Sequence, residues 1–268
     1  MKADDLKLVV KEKYGSIAGQ SNLLEQQQGC CGSSGCCGEL EFSMIGDEYT
    51  SVPGYNPDAD LGLGCGLPTE FAGIKPGDSV LDLGSGAGND CFVTRSLVGE
   101  TGKVTGLDFT EEMVQKARKN LAKTGFKNIE FIQGDIEKMP LPDSTFDVIL
   151  SNCVLNLVPD KQKAFSEIYR VLKPGGHFCI SDVVTSGELP EGLKEAAEMY
   201  AGCVSGATEK QKYLKIIEKQ GFSQVEIQKE KPIVIPDSIL DKYLGEKDAE
   251  QFKHSGTGVF SITVTANK

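Results

Sequence analysis

Two groups of residues in this sequence carry the means to do chemistry. The first is Val80-Leu81-Asp82-Leu83-Gly84-Ser85-Gly86-Ala87-Gly88, an apolar run that passes into a glycine-rich turn. Glycine at such a turn lets the backbone approach a ligand closely at the start of the next helix, where unpaired N–H groups point outward. A nucleotide-like ligand is implied. The spacing is G-x-G-x-G, and the third glycine of the dinucleotide pattern falls on Asn89, which argues against a pyrophosphate-bearing dinucleotide. Asp108 closes the next apolar run, where a carboxylate can accept both hydroxyls of a ribose. Asp135, beside Ile136 at the end of a third run, is placed for the edge and face of an adenine ring.

The second group is sulfur. Nine cysteines stand against two histidines, an inventory short of a general base and rich in soft ligands. Cys179, inside an apolar run, and Cys91, on the helix after the glycine turn, read as small buried hydrophobes. Cys153 falls at the carboxyl end of an apolar run, where open α/β sheets place their chemistry. Cys65 in Gly64-Cys65-Gly66 and Cys203 in Gly202-Cys203-Val204-Ser205-Gly206-Ala207 lie among small residues that leave a thiol exposed. Three accessible thiols at one cleft point to a thiophilic ion or a redox step. Cys30, Cys31, Cys36 and Cys37 lie in a stretch with no apolar period, which reads as loop. Their spacing is not the C-x2-C of a zinc ribbon and no histidine is near, so a closed zinc site, a mobile thiol relay and plain exposed thiols all stand as readings.

These residues need a frame to hold them. The chain has 268 residues, 39% of them hydrophobic and 25% charged, with a net charge of −11. That charge repels phosphate backbones and anionic lipids, so neither nucleic acid nor membrane is an expected partner. No apolar run approaches the roughly 18 residues of a membrane span, and Met1-Lys2-Ala3-Asp4-Asp5 does not open a signal peptide, so the cytoplasm is expected. An odd cysteine count without an export signal argues against a disulfide framework.

Leu6, Val9, Val10, Tyr14 and Ile17 recur at helical spacing and predict an opening helix, ended or bent by Gly15. Residues 43–68, with Pro53, Pro57 and Pro68, read as an irregular lid in place of a packed unit. From Pro76 short apolar runs alternate with helical patterns, the mark of a parallel sheet with covering helices. Strands are predicted over Ser79–Leu83, Val104–Asp108, Ile129–Gly134, Phe146–Ser151 and His177–Val183, and near Val225–Lys229 and Val259–Ala266, seven in all. Thr110 suits a helix N-cap, Glu111 and Glu112 its first turn, and Gly125 its stop. Phe165, Ile168, Tyr169 and Leu172 mark another helix, ended by Lys173-Pro174-Gly175-Gly176. Further helices are predicted around Leu193–Tyr200 and Gln211–Gln220. Lys116 to Lys123 read as a solvated face, with Glu112 and Lys116 a surface pair. The chain divides into 1–68, a helix with a cysteine-rich lid; 69–186, the ligand-binding core; and 187–268, completing the sheet and substrate site.

Leu81-Asp82-Leu83-Gly84-Ser85-Gly86-Ala87-Gly88, Gly106-Leu107-Asp108, Gly134-Asp135-Ile136 and Arg170-Val171-Leu172-Lys173-Pro174-Gly175-Gly176 together resemble the class I S-adenosylmethionine-dependent methyltransferases over roughly residues 70–268. The resemblance implies a Rossmann-like α/β fold with a seven-stranded, mostly parallel sheet and helices on both faces, here carrying an irregular N-terminal cysteine-rich extension. It implies S-adenosyl-L-methionine as cofactor, with Gly84, Ser85, Gly86 and Gly88 supporting its methionine part and Asp108 its ribose. Asp82, Thr110, Met113, Asp135, Ile136 and Asn152 complete the implied cofactor site.

Leu63-Gly64-Cys65-Gly66-Leu67-Pro68, the stretch from Ser151-Asn152-Cys153-Val154 to Pro159-Asp160-Lys161, and Gly202-Cys203-Val204-Ser205-Gly206-Ala207 are similar to the signatures of arsenite methyltransferases. That resemblance assigns trivalent arsenic to the thiolates of Cys65, Cys153 and Cys203, with an accessory thiol among Cys30, Cys31, Cys36 and Cys37. Arsenic bound by sulfur keeps a lone pair, so it attacks a sulfonium methyl without a base, and positioning does most of the work. In the family, thiols then return the oxidised arsenic to the trivalent state by forming a disulfide, which implies thioredoxin or glutathione as reductant. Two rivals stand beside this reading: a methyltransferase for a small organic acceptor, and a thiol-rich protein that only sequesters metalloids. The intact glycine turn and ribose carboxylate speak against the sequestering protein, and the absence of a base beside Asn152 and Cys153 against the organic-acceptor enzyme.

Overall fold

A computed structural model of the chain describes residues 7–8, 10–12, 14–18, 49–190, 192–193, 207–235 and 237–268. The strands are β1 (Ser79–Leu83), β2 (Lys103–Asp108), β3 (Ile129–Gln133), β4 (Phe146–Asn152), β5 (Leu172–Ser186), β6 (Thr208–Glu209), β7 (Ser223–Ile233) and β8 (Gly258–Asn267). They form one sheet in the order β3-β2-β1-β4-β5-β8-β7, with β6 also paired to β5. Pairs from β3 to β5, and β5 with β6, run parallel; β8 is antiparallel to both β5 and β7.

The helices are α1 (Pro68–Phe71), α2 (Asn89–Val98), α3 (Glu111–Thr124), α4 (Lys161–Val171), α5 (Lys210–Lys219), α6 (Asp237–Leu244) and α7 (Glu246–His254). Because strand side chains alternate between faces, each central strand feeds two cores. Leu81, Ile149 and Phe178 join Phe165 and Ile168 of α4 and Tyr213 and Ile217 of α5 on one face. Val80, Val148, Leu150 and Cys179 join Phe92 of α2 and Val114 and Ala117 of α3 on the other. Phe165 meets Phe178 at 5.9 Å and Tyr213 edge-on at 5.7 Å, so truncating it to alanine is a loss of about 3–5 kcal/mol.

The parallel sheet, the two helical layers and the seven longer strands agree with the sequence. Several details differ. An eighth strand, β6, is only two residues long and lacks any periodic signal. Strand β5 starts at Leu172, directly after α4 ends at Val171, so Lys173-Pro174-Gly175-Gly176 lies inside it. Helices α6 and α7 were not foreseen; both are short, α7 is mostly polar, and α6 packs Leu240 against Ala249 of α7. Residues 14–18 are helical through Gly15. Thr110 takes the N-cap position of α3 without a side-chain capping bond, and Gly125 ends the helix with φ 73°. Lys116 is 5% exposed, so it is not part of a solvated face. Residues 49–68 pack instead of hanging loose, with Tyr49, Ala59 and Cys65 buried. The helix expected over Leu193–Tyr200 lies mostly outside the described residues.

The order of strands reverses between β1 and β4, which opens a crevice at their carboxyl ends, where open α/β sheets bind ligands. Gly84 follows β1 and Cys153 follows β4, so the two chemically suggestive stretches converge there.

Candidate active site

The glycine turn is pinned to the neighbouring strand: Gly84 and Ser85 donate backbone N–H to the Leu107 carbonyl at 2.7 and 3.0 Å. Gly84 has φ +68°, and a Cβ there would lie 2.4 Å from Cγ2 of Val154, so only glycine lets the turn sit against the loop after β4. The Asp108 carboxylate accepts from the amides of Gly86 at 2.9 Å and Thr110 at 2.8 Å, which aims it across the turn. Each oxygen keeps a lone pair for another donor.

A cavity opens over this turn. Asp82, Gly84, Ser85, Gly86, Asp108, Thr110, Met113, Asp135, Ile136 and Asn152 all line it, as does Cys153. Gly88 does not line it; a Cβ there would meet Phe131 at 2.8 Å, so this glycine serves close packing of α2 on the sheet. Sequence reasoning missed Lys7, Tyr14, Tyr49, Asp60, Asn89 and Asp90, which also line the cavity. Asp90 lies in the first turn of α2, and only its neighbours in space mark it out.

The lining is strongly acidic. Burial pushes the carboxyls of Asp82, Asp90 and Asp108 upward, and for Asp82 the charge of nearby Asp90 adds to this. The buried Cys91 thiol donates to Asp82 at 3.2 Å. Among the described lining residues the one basic side chain is Lys7, which already donates to Asp135 and Glu137 at 2.6 Å each. Asp135 is therefore held by an ion pair as well as facing the cavity. A cation in the cleft relieves the repulsion among these carboxylates. The Ser85 hydroxyl and the Asn89 side-chain oxygen are buried at the cavity with no hydrogen-bond partner among the described residues. A zwitterionic sulfonium nucleoside fits this donor and acceptor set: cationic centres for the carboxylates, ribose hydroxyls for Asp108, and polar groups for Ser85 and Asn89.

Asn152 ends β4 and knits the far wall together. Its side-chain nitrogen donates toward the Tyr49 hydroxyl at 2.7 Å, the Gly66 carbonyl at 2.9 Å and Asp90 at 3.1 Å. Tyr49 in turn donates to Asp90 at 2.8 Å.

Cys65 and Cys153 meet in one apolar cluster with Val183, Leu189 and Val259. Cys65 is 1% exposed and Cys153 4%, which corrects the expectation of accessible thiols. The glycines around Cys65 bring it in instead of leaving it open. A Cβ at Gly64 would lie 2.8 Å from Asn152, and one at Gly66 2.6 Å from Ser181, so small residues here allow intimate packing. The Ser261 hydroxyl closes the seat by donating to the Cys65 carbonyl at 2.5 Å. Cys153 has φ +60°, the left-handed region that costs a residue with a side chain of this kind free energy and clusters at functional sites. Its amide donates to the Ser181 carbonyl at 2.8 Å. Cys65, Cys91, Cys153 and Cys179 carry no disulfide, and burial pushes the Cys179 thiol up to about 12, as an inert core residue. Cys30, Cys31, Cys36, Cys37 and Cys203 lie outside the described residues. No helix among the described residues is long and apolar enough to cross a membrane.

Residues 74–221 match the family model of a methyltransferase domain. The chain is 41% identical, over 277 aligned positions, to an arsenite methyltransferase of Halobacterium salinarum, covering 99% of this chain and 67% of that protein. It is 40% identical to the arsenite methyltransferase of Homo sapiens, covering 67% of this chain and 52% of that one. Among solved structures, it is similar to CrArsM, an arsenic (III) S-adenosylmethionine methyltransferase from Chlamydomonas reinhardtii, with TM-score 0.65 and 37% identity over 76% of this chain and 67% of that one.

Proposed function

The chain belongs to the arsenite methyltransferases, which are built on the methyltransferase domain, and from this we propose that its cleft methylates trivalent arsenic held by Cys65, Cys153 and Cys203. The observation that carries the roles is the meeting of two thiols from distant parts of the chain in one apolar cluster beside an acid-lined cavity. Ala207, also packed on that cluster, follows Cys203 by four residues, a stretch that spans at most about 14 Å. That length permits Cys203 to serve as the third ligand.

A bound S-adenosylmethionine would supply an electrophilic methyl whose carbon–sulfur bond would break as the arsenic lone pair attacks, taking arsenic from trivalent to pentavalent. Asp108 would hold the ribose, Asp82 and Asp90 would face the cationic methionine end, and Ile136 and Met113 would flank the base. Cys153 and Cys65 present arsenic with its lone pair toward the cleft. No proton has to leave arsenic for this attack, which accords with a site that holds no histidine among its described residues. The apolar cluster keeps water from competing for the arsenic. A thiol reductant of the thioredoxin or glutathione class then returns arsenic to the trivalent state, accessory thiols among Cys30, Cys31, Cys36 and Cys37 taking part, and the reducing cytoplasm supports that step.

The test is arsenite-dependent conversion of S-adenosylmethionine to S-adenosylhomocysteine, assayed beside a panel of small organic acceptors. Serine is nearly isosteric with cysteine but a hard ligand, poorly matched to a soft ion. Cys153→Ser and Cys203→Ser should each abolish arsenite turnover while leaving cofactor affinity nearly unchanged. Wild-type arsenite turnover in both variants overturns these roles.

A further inference from the structure

The loop that carries Cys153 is gripped by charged groups that the chemistry above does not use. Asp182, on β5, is fully buried. Its carboxylate accepts from the Tyr213 hydroxyl of α5 at 2.9 Å and from the Val183 amide at 3.0 Å. The backbone amide of Asn156, in the single turn Leu155–Leu157 that follows Cys153, also donates to it. The carbonyl of that same Asn156 accepts from Lys161 Nζ at 3.1 Å, and Lys161 reaches the Val158 carbonyl at 3.2 Å. One residue of the loop is thus held at both ends by groups of opposite charge. Just before it, the Cys153 amide is tied to the carbonyl of Ser181, the neighbour of Asp182.

A left-handed cysteine persists only when its surroundings over-determine it. Here the ties on either side of Val154 come from β5, α4 and α5, and Val154 itself seats on the glycine turn through Gly84. We propose that Asp182, Tyr213 and Lys161 form a positioning clamp that holds Cys153 in its left-handed conformer, with the thiol set beside Cys65. The proposal rests on Cys153 being an arsenic ligand. None of the three clamp residues needs to touch arsenic or cofactor. Released from the clamp, the loop relaxes toward an ordinary backbone conformer, and the two thiols lose the common placement that lets them share one ion.

Asp182→Asn keeps the shape and removes the charge; Tyr213→Phe removes one donor; Lys161→Met removes the opposing cation. Each variant is first checked for folding by its thermal transition. Inorganic arsenite binding to the protein without cofactor should weaken roughly tenfold in Asp182→Asn and less in Tyr213→Phe, a tenfold loss being what about 1.4 kcal/mol of released strain corresponds to. S-adenosylmethionine affinity should stay within about twofold, since Asp108 and the glycine turn are untouched. The alkylation rate of Cys153 by iodoacetamide, followed by mass spectrometry without either substrate, should rise in the same order as the loop loosens. A merely structural role lowers thermal stability without this split between arsenite and cofactor. If Asp182→Asn does not fold, Tyr213→Phe and Lys161→Met carry the same test. Unchanged arsenite affinity and Cys153 alkylation in folded clamp variants overturn the clamp, even where Cys153→Ser abolishes turnover. Wild-type turnover in Cys153→Ser instead overturns the arsenic roles on which the clamp depends.

Discussion

The side-chain oxygen of Asn152 accepts the backbone N–H of Cys65 at 2.9 Å. The nitrogen of the same amide reaches Asp90 and Tyr49, so one side chain joins the turn bearing a thiol to a carboxylate of the cofactor cavity. Donor and acceptor ends are both used, which makes the two halves of the site one hydrogen-bonded unit.

Asn152→Ala should therefore act on both halves. It leaves the Cys65 amide without the Asn152 acceptor and Asp90 with Tyr49 but one donor fewer, a loss of about 1–3 kcal/mol in urea unfolding. Arsenite and S-adenosylmethionine affinities should fall together. Calorimetric titrations showing either one untouched would speak against the link.

Asp108 is preset by two backbone amides to receive a diol. Asp108→Ala should weaken S-adenosylmethionine binding by about tenfold or more, because hydrogen bonds to a charged group are worth about 1.5–3 kcal/mol each. Unchanged affinity in calorimetry would refute its role as the ribose ligand.

The left-handed backbone of Cys153 separates two small substitutions. Cys153→Gly and Cys153→Ala both lose the thiol, but alanine keeps a Cβ in a region where glycine is at ease. The glycine variant should be more stable than the alanine variant by about 1 kcal/mol in chemical denaturation. Equal stability, or the reverse order, would show that the backbone there is not strained.

Burial pushes Asp182 up to about 6, against an ordinary value of about 3.9. A carboxyl with a raised folded value binds its proton more tightly in the folded state, so its contribution to stability is full below about pH 4 and is lost as pH rises through about 6. Relative to Asp182→Asn, the wild type should lose stability across that window, on the order of 3 kcal/mol, and the difference should be flat above it. Urea midpoints of both proteins between about pH 4.5 and 8 measure this. A difference that grows in favour of the wild type as pH rises would contradict the burial of Asp182.

Much of this protein is written locally in its sequence. The alternation in Val80-Leu81 and Val148-Ile149-Leu150 marks strands that feed two cores, because side chains of a strand point to opposite faces whatever their partners are. The glycine turn and Asp108 announce a nucleoside site, since a tight turn and a strand-end carboxylate depend on spacing within a few residues. The thiol motifs likewise name Cys65 and Cys153. Tertiary structure alone decided how deep those thiols lie: Cys65 is buried because Asn152, Ser181 and Ser261, all distant in sequence, close around its glycines. It also decided that Lys7 pairs with Asp135, that Tyr49 and Asp90 belong to the cavity wall, and that Asp182 and Lys161 grip one residue, Asn156, after Cys153. Periodicity is a property of the chain's own dihedral angles and can be read along it; desolvation and charge pairing arise only where separate segments pack, so no single stretch of sequence holds them.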